Sequence, residues 1–225
     1  MASPILETQS VSKIYGEGTN RVVALDQASL TLYPGQILLI MGPSGSGKTT
    51  LLSVMGCILR PSSGRVIVDG KVASDLGEDA LPDIRRHYFG FVFQAFNLFG
   101  SLTALENVEM VLRMKGVEKE MIVPISMALL QHVGLSHRAH AYPRDMSGGE
   151  KQRTAVARAL AGDPAIVLAD EPTANLDSKT GHEVLALFRK LAEETNKAVA
   201  IVSHDLKAKE VADRVIIMED GRLRL

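Results

Sequence analysis

A glycine-rich stretch at residues 42–49 ends in a lysine and a threonine, and its spacing matches the phosphate-binding pattern G-x-x-x-x-G-K-[ST]. An apolar segment precedes it and a helix-forming segment follows, which is the context that this pattern requires. Glycines let successive backbone amides converge on anionic oxygens at a helix N-terminus. The sequence therefore predicts a nucleotide site formed by Gly42, Pro43, Ser44, Gly45, Ser46, Gly47, Lys48, Thr49 and Thr50.

Two side chains of this loop have distinct expected roles. The Lys48 ammonium would bridge the β- and γ-phosphates, and the Thr49 hydroxyl would hold Mg²⁺. The alternative is a Gly/Ser-rich turn with a chance lysine. A strand before the loop and a helix after it disfavour that alternative.

Two adjacent carboxylates, Asp170 and Glu171, follow the apolar segment at residues 166–169. An acid at the end of such a strand is the usual protein ligand on the Mg²⁺ shell. Neighbouring residues of a strand point to opposite faces, so we expect Asp170 on the metal side and Glu171 toward the attacking water. The alternative for Glu171 is an acidic helix start before Pro172.

A second helix start, at Ser147, is followed by two glycines and Glu150. Taken alone it is a serine-capped helix. A helix N-terminus with a serine and glycines also binds phosphate. Since one ATP does not easily occupy two helix N-termini of a small domain, this site would serve the nucleotide of a second subunit.

The elements that must position these residues alternate between strand and helix. Apolar segments at residues 36–41, 165–169, 198–202 and 215–218 predict strands buried on both faces of a parallel sheet. In residues 22–32 and 66–68 apolar and polar residues alternate instead, as in strands with one exposed face. Residues 102–115 and 121–133 have helical periodicity, so residues 96–160 predict a helical insert in an α/β fold.

Composition excludes several classes of function. Lys+Arg 25 against Asp+Glu 26 argues against a large nucleic-acid footprint, and 4% aromatic residues argue against a stacking platform for single strands. A lone cysteine, Cys57, excludes an internal disulfide framework and is expected to be a buried small residue of the first helix. The apolar runs are too short to span a bilayer, and the first ten residues lack the features of a signal peptide.

Over essentially its whole length the chain resembles the ATPase subunits of ABC transporters. The motifs that carry the resemblance are, in chain order, the Walker A loop at residues 42–49, the Q-loop Gln94, the signature Ser147, Gly148, Gly149 and Glu150, the Walker B pair Asp170 and Glu171, the D-loop Asp177 and the switch His204. Residues 96–99 and 168–177 are most similar to the macrolide-exporter, lipoprotein-releasing and cell-division (MacB/LolD/FtsE-like) branch. Glu150 and Ala174 stand where that group more often has Gln and Gly.

The resemblance implies a P-loop NTPase (RecA-like) core with an N-terminal antiparallel β subdomain and an inserted helical subdomain. Residues 1–225 would form one ABC ATPase domain, with the core at 1–95 and 161–225 and the helical subdomain at 96–160. It implies ATP and Mg²⁺ as cofactors, and hydrolysis that powers a membrane permease through ATP-driven dimerisation.

The resemblance also assigns roles to individual residues. Glu171, His204 and Lys48 would be catalytic, and Thr49, Gln94 and Asp170 would lie on the metal. Tyr15 would stack on adenine, with a plain strand-end tyrosine as the alternative. The signature residues and Asp177 would bind the ATP of the second copy. For His204 the alternative is a loop histidine without a role.

The implied partners are a second copy of the chain and an integral membrane permease bound through Phe96, Leu98 and Phe99, unless those residues are core. A periplasmic partner would act through the permease, and no nucleic acid is expected. The expected location is the cytoplasmic side of the inner (plasma) membrane.

Two other functions compete with this interpretation: a nucleotide-gated scaffold and a DNA-maintenance ATPase. DNA-maintenance ATPases carry long coiled coils or zinc modules between the phosphate loop and the signature. This chain has no sustained heptads between Lys48 and Ser147.

Overall fold

The computed structural model describes residues 3–224. In chain order their strands and α-helices are β1 (Leu6–Tyr15), β2 (Val22–Leu32), β3 (Ile37–Met41), α1 (Lys48–Met55), β4 (Ser63–Val68), β5 (Lys71–Val72), α2 (Leu81–Tyr88), β6 (Phe89–Val92), α3 (Ala104–Met114), α4 (Lys119–His132), α5 (Gly148–Leu160), β7 (Ile166–Asp170), α6 (Ser178–Thr195), β8 (Ala198–Ser203), β9 (Arg214–Glu219) and β10 (Arg222–Arg224). Among these residues no helix is both long and apolar enough to cross a membrane.

Two sheets carry the fold. One is antiparallel with the strand order β2-β1-β4-β5. The other has the order β10-β9-β3-β8-β7-β6 and is parallel except for its β10 edge. The expectation of an α/β fold with an antiparallel sheet and a buried parallel sheet is confirmed.

The register of the parallel sheet sets the position of the site. Met41 at the end of β3 lies beside Ser203 of β8, and Asp170 at the end of β7 lies beside Val202. The chain leaves all three strands at the same edge, so the loops that follow them converge there. Ligands of open α/β sheets bind at this carboxyl edge.

Two apolar clusters lie on the two faces of the parallel sheet. Along β3, Ile37 and Leu39 belong to the cluster that includes α3, α4, α5 and α6. Leu38 and Ile40 belong to the cluster that includes α1 and the antiparallel sheet. A strand that is buried on both faces is apolar at every position, which explains the run without alternation.

The first helix ends before Cys57, although the sequence predicts that Cys57 belongs to it. Helix α1 ends at Met55, and Cys57 lies beyond it with a φ of 55°. Its side chain is only 5% exposed. Burial raises the pKa of the Cys57 thiol to about 11, so it is packed as a small apolar group.

Candidate active site

Residues 42–47 connect β3 to α1 and require glycine at two tight places. Gly47 lies directly before the helix with a φ of 102°, and a Cβ there would come within 2.4 Å of the Ala24 carbonyl oxygen. A Cβ on Gly42 would lie 2.1 Å from the Met218 carbonyl oxygen. The β2 and β9 backbones therefore press against the loop and fix its path.

A cavity of about 620 Å³ opens above this loop. Its lining comes from several separate parts of the chain: Val22, Ala24, Pro43, Ser44, Gly45, Gly47, Lys48, Thr49, Thr50, Gln94, Glu171 and His204. The structure thus brings the predicted phosphate loop, Q-loop, carboxylate and switch histidine together. Val22 and Ala24 were not anticipated, because their alternation in the sequence indicates only a strand.

Lys48 lies across the mouth of the loop. Its Nζ donates hydrogen bonds of 2.9 Å to the carbonyl oxygens of Gly42 and Pro43, and lies 4.0 Å from Glu171 Oε1. The side chain is buried. Anionic phosphate oxygens would bind this ammonium more strongly than the neutral carbonyls do, because they add the attraction between opposite charges.

Thr49 and Asp170 meet on the other side of the loop. The Thr49 hydroxyl donates to Asp170 Oδ1 over 3.1 Å. Burial, and to a lesser degree the neighbouring Glu171 charge, raise the pKa of Asp170, while the Thr49 hydrogen bond opposes this. A cation at this point would favour the ionised carboxylate.

The donor set around Asp170 fits Mg²⁺ and does not form an all-protein cage. Within residues 3–224 no group of three or more His, Cys, Asp or Glu side chains is arranged to hold a metal. Magnesium keeps most of its water and uses one or two carboxylates with substrate phosphates. One carboxylate beside a hydroxyl and a phosphate loop meets that requirement.

Glu171 owes its direction to a turn rather than to strand alternation. It lies just beyond β7 with a φ of 45°, and its backbone N–H donates to the Val202 carbonyl oxygen at 2.9 Å. Its Oε2 accepts a hydrogen bond from the Ser203 hydroxyl at 3.1 Å, and its Oε1 lies 3.0 Å from His204 Nδ1. Asp170 contacts Thr49 and Glu171 contacts Ser203 and His204, so the two acids have different neighbours because of this turn, and their roles on the metal and on the water remain predictions.

Ser203 is a positioning residue that the switch motif at residues 203–205 includes but to which the sequence assigns no role. Its hydroxyl contacts the Glu171 carboxylate and also accepts from the Asp205 backbone N–H at 3.0 Å. The serine is buried, at 1% exposure, at the end of β8. A polar residue closing a strand whose other residues are apolar was the available signal.

The signature residues do not line the cavity of their own chain. Ser147 Oγ accepts from the Glu150 backbone N–H at 3.2 Å, and Glu150 Oε2 accepts from the Ser147 N–H at 2.8 Å, which completes a capping box on α5. Asp177 caps α6 through Thr180, whose hydrogen bonds lower the pKa of the aspartate. Tyr15 is also outside the lining and lies opposite Val22 in the antiparallel sheet.

Two side chains hold the backbone that follows Gln94. Asn175 Nδ2 donates to the Gln94 carbonyl oxygen at 2.8 Å. Arg158 donates to the carbonyl oxygens of Phe96, at 2.8 Å, and Asn97. Both of these loop residues have left-handed φ angles, of 60° and 49°. Asn175 lies within the D-loop motif at residues 174–177, but the motif assigns it no role of its own, and no sequence pattern singled out Arg158.

Gly149 is needed for packing between α5 and α6, which yields a stability prediction. A Cβ there would lie 2.2 Å from Thr180 Cγ2. We expect Gly149→Ala to lower the free energy of unfolding by about 1–3 kcal/mol, because it overpacks this contact. Thermal and urea unfolding would measure it. Thr180→Ser removes the clashing methyl but keeps the hydroxyl that bonds to Asp177. The double variant should therefore recover most of the lost free energy of unfolding. If it recovers none, the contact does not explain the loss.

Comparison with known proteins gives one family. The family model described as ABC transporter matches residues 25–174. An ATP-binding protein of Thermotoga maritima is 45% identical over 219 residues, covering 97% of this chain and 93% of its own length. The lipoprotein-releasing system ATP-binding protein LolD of Shewanella frigidimarina is 42% identical over 98% of this chain and 92% of its own. The macrolide export protein MacB of Hyphomonas neptunium is 41% identical, and the chain spans 34% of its length.

Solved structures agree with this assignment. The ATP-binding cassette MJ0796 of Methanocaldococcus jannaschii, solved as a dimer in a post-hydrolysis state with ADP and Pi, superposes with a TM-score of 0.90. It is 42% identical and is matched over 98% of this chain and 97% of its own. The shared fold therefore extends over the whole cassette.

Proposed function

The chain belongs to the ABC transporter family as an ATP-binding, ATP-hydrolysing cassette that works as a dimer, and we propose which of its residues perform each step. The observation that carries the proposal is the meeting of Lys48, Glu171 and His204 around one cavity above the phosphate loop. Loop amides and Lys48 bind the β- and γ-phosphates, with Thr50 and the remaining loop residues completing the cradle.

Glu171 orients and polarises the attacking water, and His204 stabilises charge that develops on the γ-phosphate. The Ser203 hydroxyl and the His204 ring hold the carboxylate at the cavity wall, which supports this role. A carboxylate held in place before the substrate binds does not have to reorganise during the reaction.

Mg²⁺, when bound, neutralises the phosphate charge that builds up during transfer. Thr49, Asp170 and Gln94 are the residues that would hold it. Thr49 and Asp170 are already in contact at 3.1 Å, and Gln94 lines the same cavity as Thr49.

The second half of each ATP site comes from a second copy of the chain. The residues assigned to it lie outside the cavity of their own chain, at the N-termini of two helices: Ser147, Gly148, Gly149, Glu150 and Asp177. The dimeric form of the related cassette supports the arrangement. We assign adenine stacking to Tyr15 on its motif position.

The permease is proposed to dock beside the Q-loop. Two adjoining cavities of about 400 and 300 Å³ share Phe89, Phe91 and Val111 in their linings, and together they form what we call the docking groove. Of the three residues that the sequence assigns to the permease contact, Phe99 lines this groove and is 49% exposed, so it is not part of the core. Phe96 and Leu98 line a separate cavity beside Pro143 and Arg144. An open apolar groove accepts an amphipathic helix of a partner.

This docking places the cassette on the cytoplasmic face of the inner membrane, with a periplasmic partner acting through the permease, as the likeness to lipoprotein-releasing and macrolide-export proteins supports. Residues 96–160 would move with the permease, while residues 1–95 and 161–225 hold the nucleotide. The Asn175 and Arg158 contacts on the backbone of residues 94–97 would carry motion between the two.

Phe99→Asp tests the docking. We expect near-normal basal ATPase and melting temperature, because the ring is half exposed, together with loss of co-purification with a co-expressed permease and loss of transport. Burying an unpaired carboxylate in an apolar contact is strongly unfavourable. Met121→Asp is the matched control, since Met121 is 47% exposed and lies in the first turn of α4, outside the groove. A sharply lowered melting temperature for Phe99→Asp would mean that the residue is core.

A further inference from the structure

The docking groove is apolar in its walls but carries only positive charge. Arg85, Arg86 and Lys115 line one of its cavities, and Arg158 lines the other. Neither lining includes an aspartate or glutamate. All four charged residues in the two linings are therefore cations. Charged surface residues without a common role would be expected to include both signs.

Three of these four cations have backbone carbonyls as partners instead of carboxylates. Arg85 donates to the Cys57 carbonyl oxygen at 2.8 Å, and Lys115 donates to that of Gly162 at 3.3 Å. Arg158 donates to the two loop carbonyls described above. Within residues 3–224 none of the three has a carboxylate oxygen within 4.0 Å, whereas Arg86 is paired with the exposed Asp83.

Helix dipoles account for part of this charge but not for all of it. Arg85 and Arg86 lie in the last turn of α2, and Lys115 directly follows α3. Each helix C-terminus carries about half a negative charge, so the two together offset about one cation. Asp83 offsets another. About one positive charge remains at this end of the groove. Arg158 lies in the last turn of α5, so about half of its charge remains at the other end.

The remaining charge is partly withdrawn from water. Burial lowers the pKa of the Lys115 ammonium, and nearby Asp163 only partly opposes this. Asp163 is itself engaged by Lys197, whose Nζ lies 2.6 Å from its Oδ1. Burial likewise lowers the pKa of the Arg158 guanidinium. A carboxylate from outside the chain beside Lys115 would favour its charged form again.

We propose that the permease helix in the docking groove carries a carboxylate beside its apolar stripe and that this carboxylate pairs with Lys115 and Arg85. The inference rests on the proposed function, because it names the chemistry of the partner at that same groove. The apolar stripe fills the space around Phe91 and Val111, and the acid meets the two cations at the rim. Charge thereby selects the partner and its direction in the groove.

The test uses the full chain co-expressed with a permease, with recovery of the complex measured at low and high salt. We expect Lys115→Glu and Arg85→Glu each to lower recovery at least about tenfold at roughly 50 mM NaCl, and Lys115→Gln to lower it less. Salt of roughly 500 mM screens both attraction and repulsion, so it should weaken the wild-type complex and narrow its difference from the charge-reversal variants. Lys71→Glu, a reversal at an exposed lysine of the antiparallel sheet, is the matched control.

A second arm identifies the acid. Each aspartate and glutamate on the cytoplasmic helices of the permease is changed to lysine in turn, and one such change should restore the complex with Lys115→Glu. Basal ATPase and melting temperature of the chain alone show that the variants fold.

The outcomes separate this inference from the proposed function. If Phe99→Asp abolishes the complex while Lys115→Glu and Arg85→Glu leave it within twofold, the groove binds a purely apolar helix and the inference is wrong. If none of these variants lowers recovery, the permease docks elsewhere and the proposed docking is wrong as well. Binding of the chain to phosphatidylglycerol vesicles is measured alongside. If the variants keep the permease complex but lose vesicle binding, the cations serve lipid headgroups and the inference also fails.

Discussion

Glu171→Gln should abolish most ATP turnover while ATP binding survives. The amide keeps the shape of the carboxylate but lacks its basicity, and loss of a positioned general base typically costs about a hundredfold to ten-thousandfold in rate. Because ATP persists, the closed dimer should accumulate. Phosphate release under saturating Mg-ATP measures the rate, and size-exclusion chromatography with ATP measures the dimer.

Ser203→Ala provides the graded control for that experiment. It removes one of the hydrogen bonds that hold the carboxylate and leaves the base itself in place, so its loss of rate should be much smaller. Wild-type hydrolysis by Glu171→Gln would show that the water is activated by another group. An equal loss in the two variants would show that the geometry, and not the base, limits the rate.

Ser147→Arg should stop hydrolysis without weakening ATP binding by the isolated subunit. The serine lies on the α5 N-terminus, away from the cavity of its own chain, so a bulky cation there would block closure against the partner's nucleotide. Calorimetry with ATP under dilute, monomeric conditions tests the binding, and turnover at high protein concentration tests the closure.

The matched variant for this prediction is Ser147→Ala. It removes the capping oxygen, at a cost of about 0.5–2 kcal/mol, but adds no bulk. The arginine variant should lose more ATPase rate than the alanine variant. That extra loss therefore measures how strongly the bulky side chain blocks dimer closure. A large loss of ATP affinity in the monomer would place Ser147 in the pocket of its own chain and contradict the shared site.

The sequence specifies the core of this fold because burial leaves a direct pattern. A strand covered on both faces cannot alternate, so β3, β7 and β8 are recognisable as apolar runs. The glycines of the phosphate loop are equally readable, because the β2 and β9 backbones leave no room for a Cβ at Gly42 and Gly47. Close backbone approach restricts residue type, and restricted residue type is visible in a sequence.

Other parts of the site depend on contacts between distant segments, which no local pattern encodes. Glu171 turns toward the cavity through a left-handed φ and a hydrogen bond to β8. Ser203, Asn175 and Arg158 act on groups that lie 32 to 81 residues away along the chain. Propensity and periodicity describe neighbours within about one or two turns. The positioning roles of these three residues therefore emerge only once the fold brings their partners close.

The strand order has a consequence for how the protein is made. Strand β3 ends at Met41, yet both of its neighbours, β8 and β9, begin only at Ala198 and Arg214. A ribosome adds about 5–20 residues per second, so roughly 10–30 s pass between the synthesis of this apolar strand and that of its first neighbour, β8. The nascent chain must spend that interval with an incomplete sheet, so chaperones that shield apolar segments are expected to matter most for this cassette during its own translation.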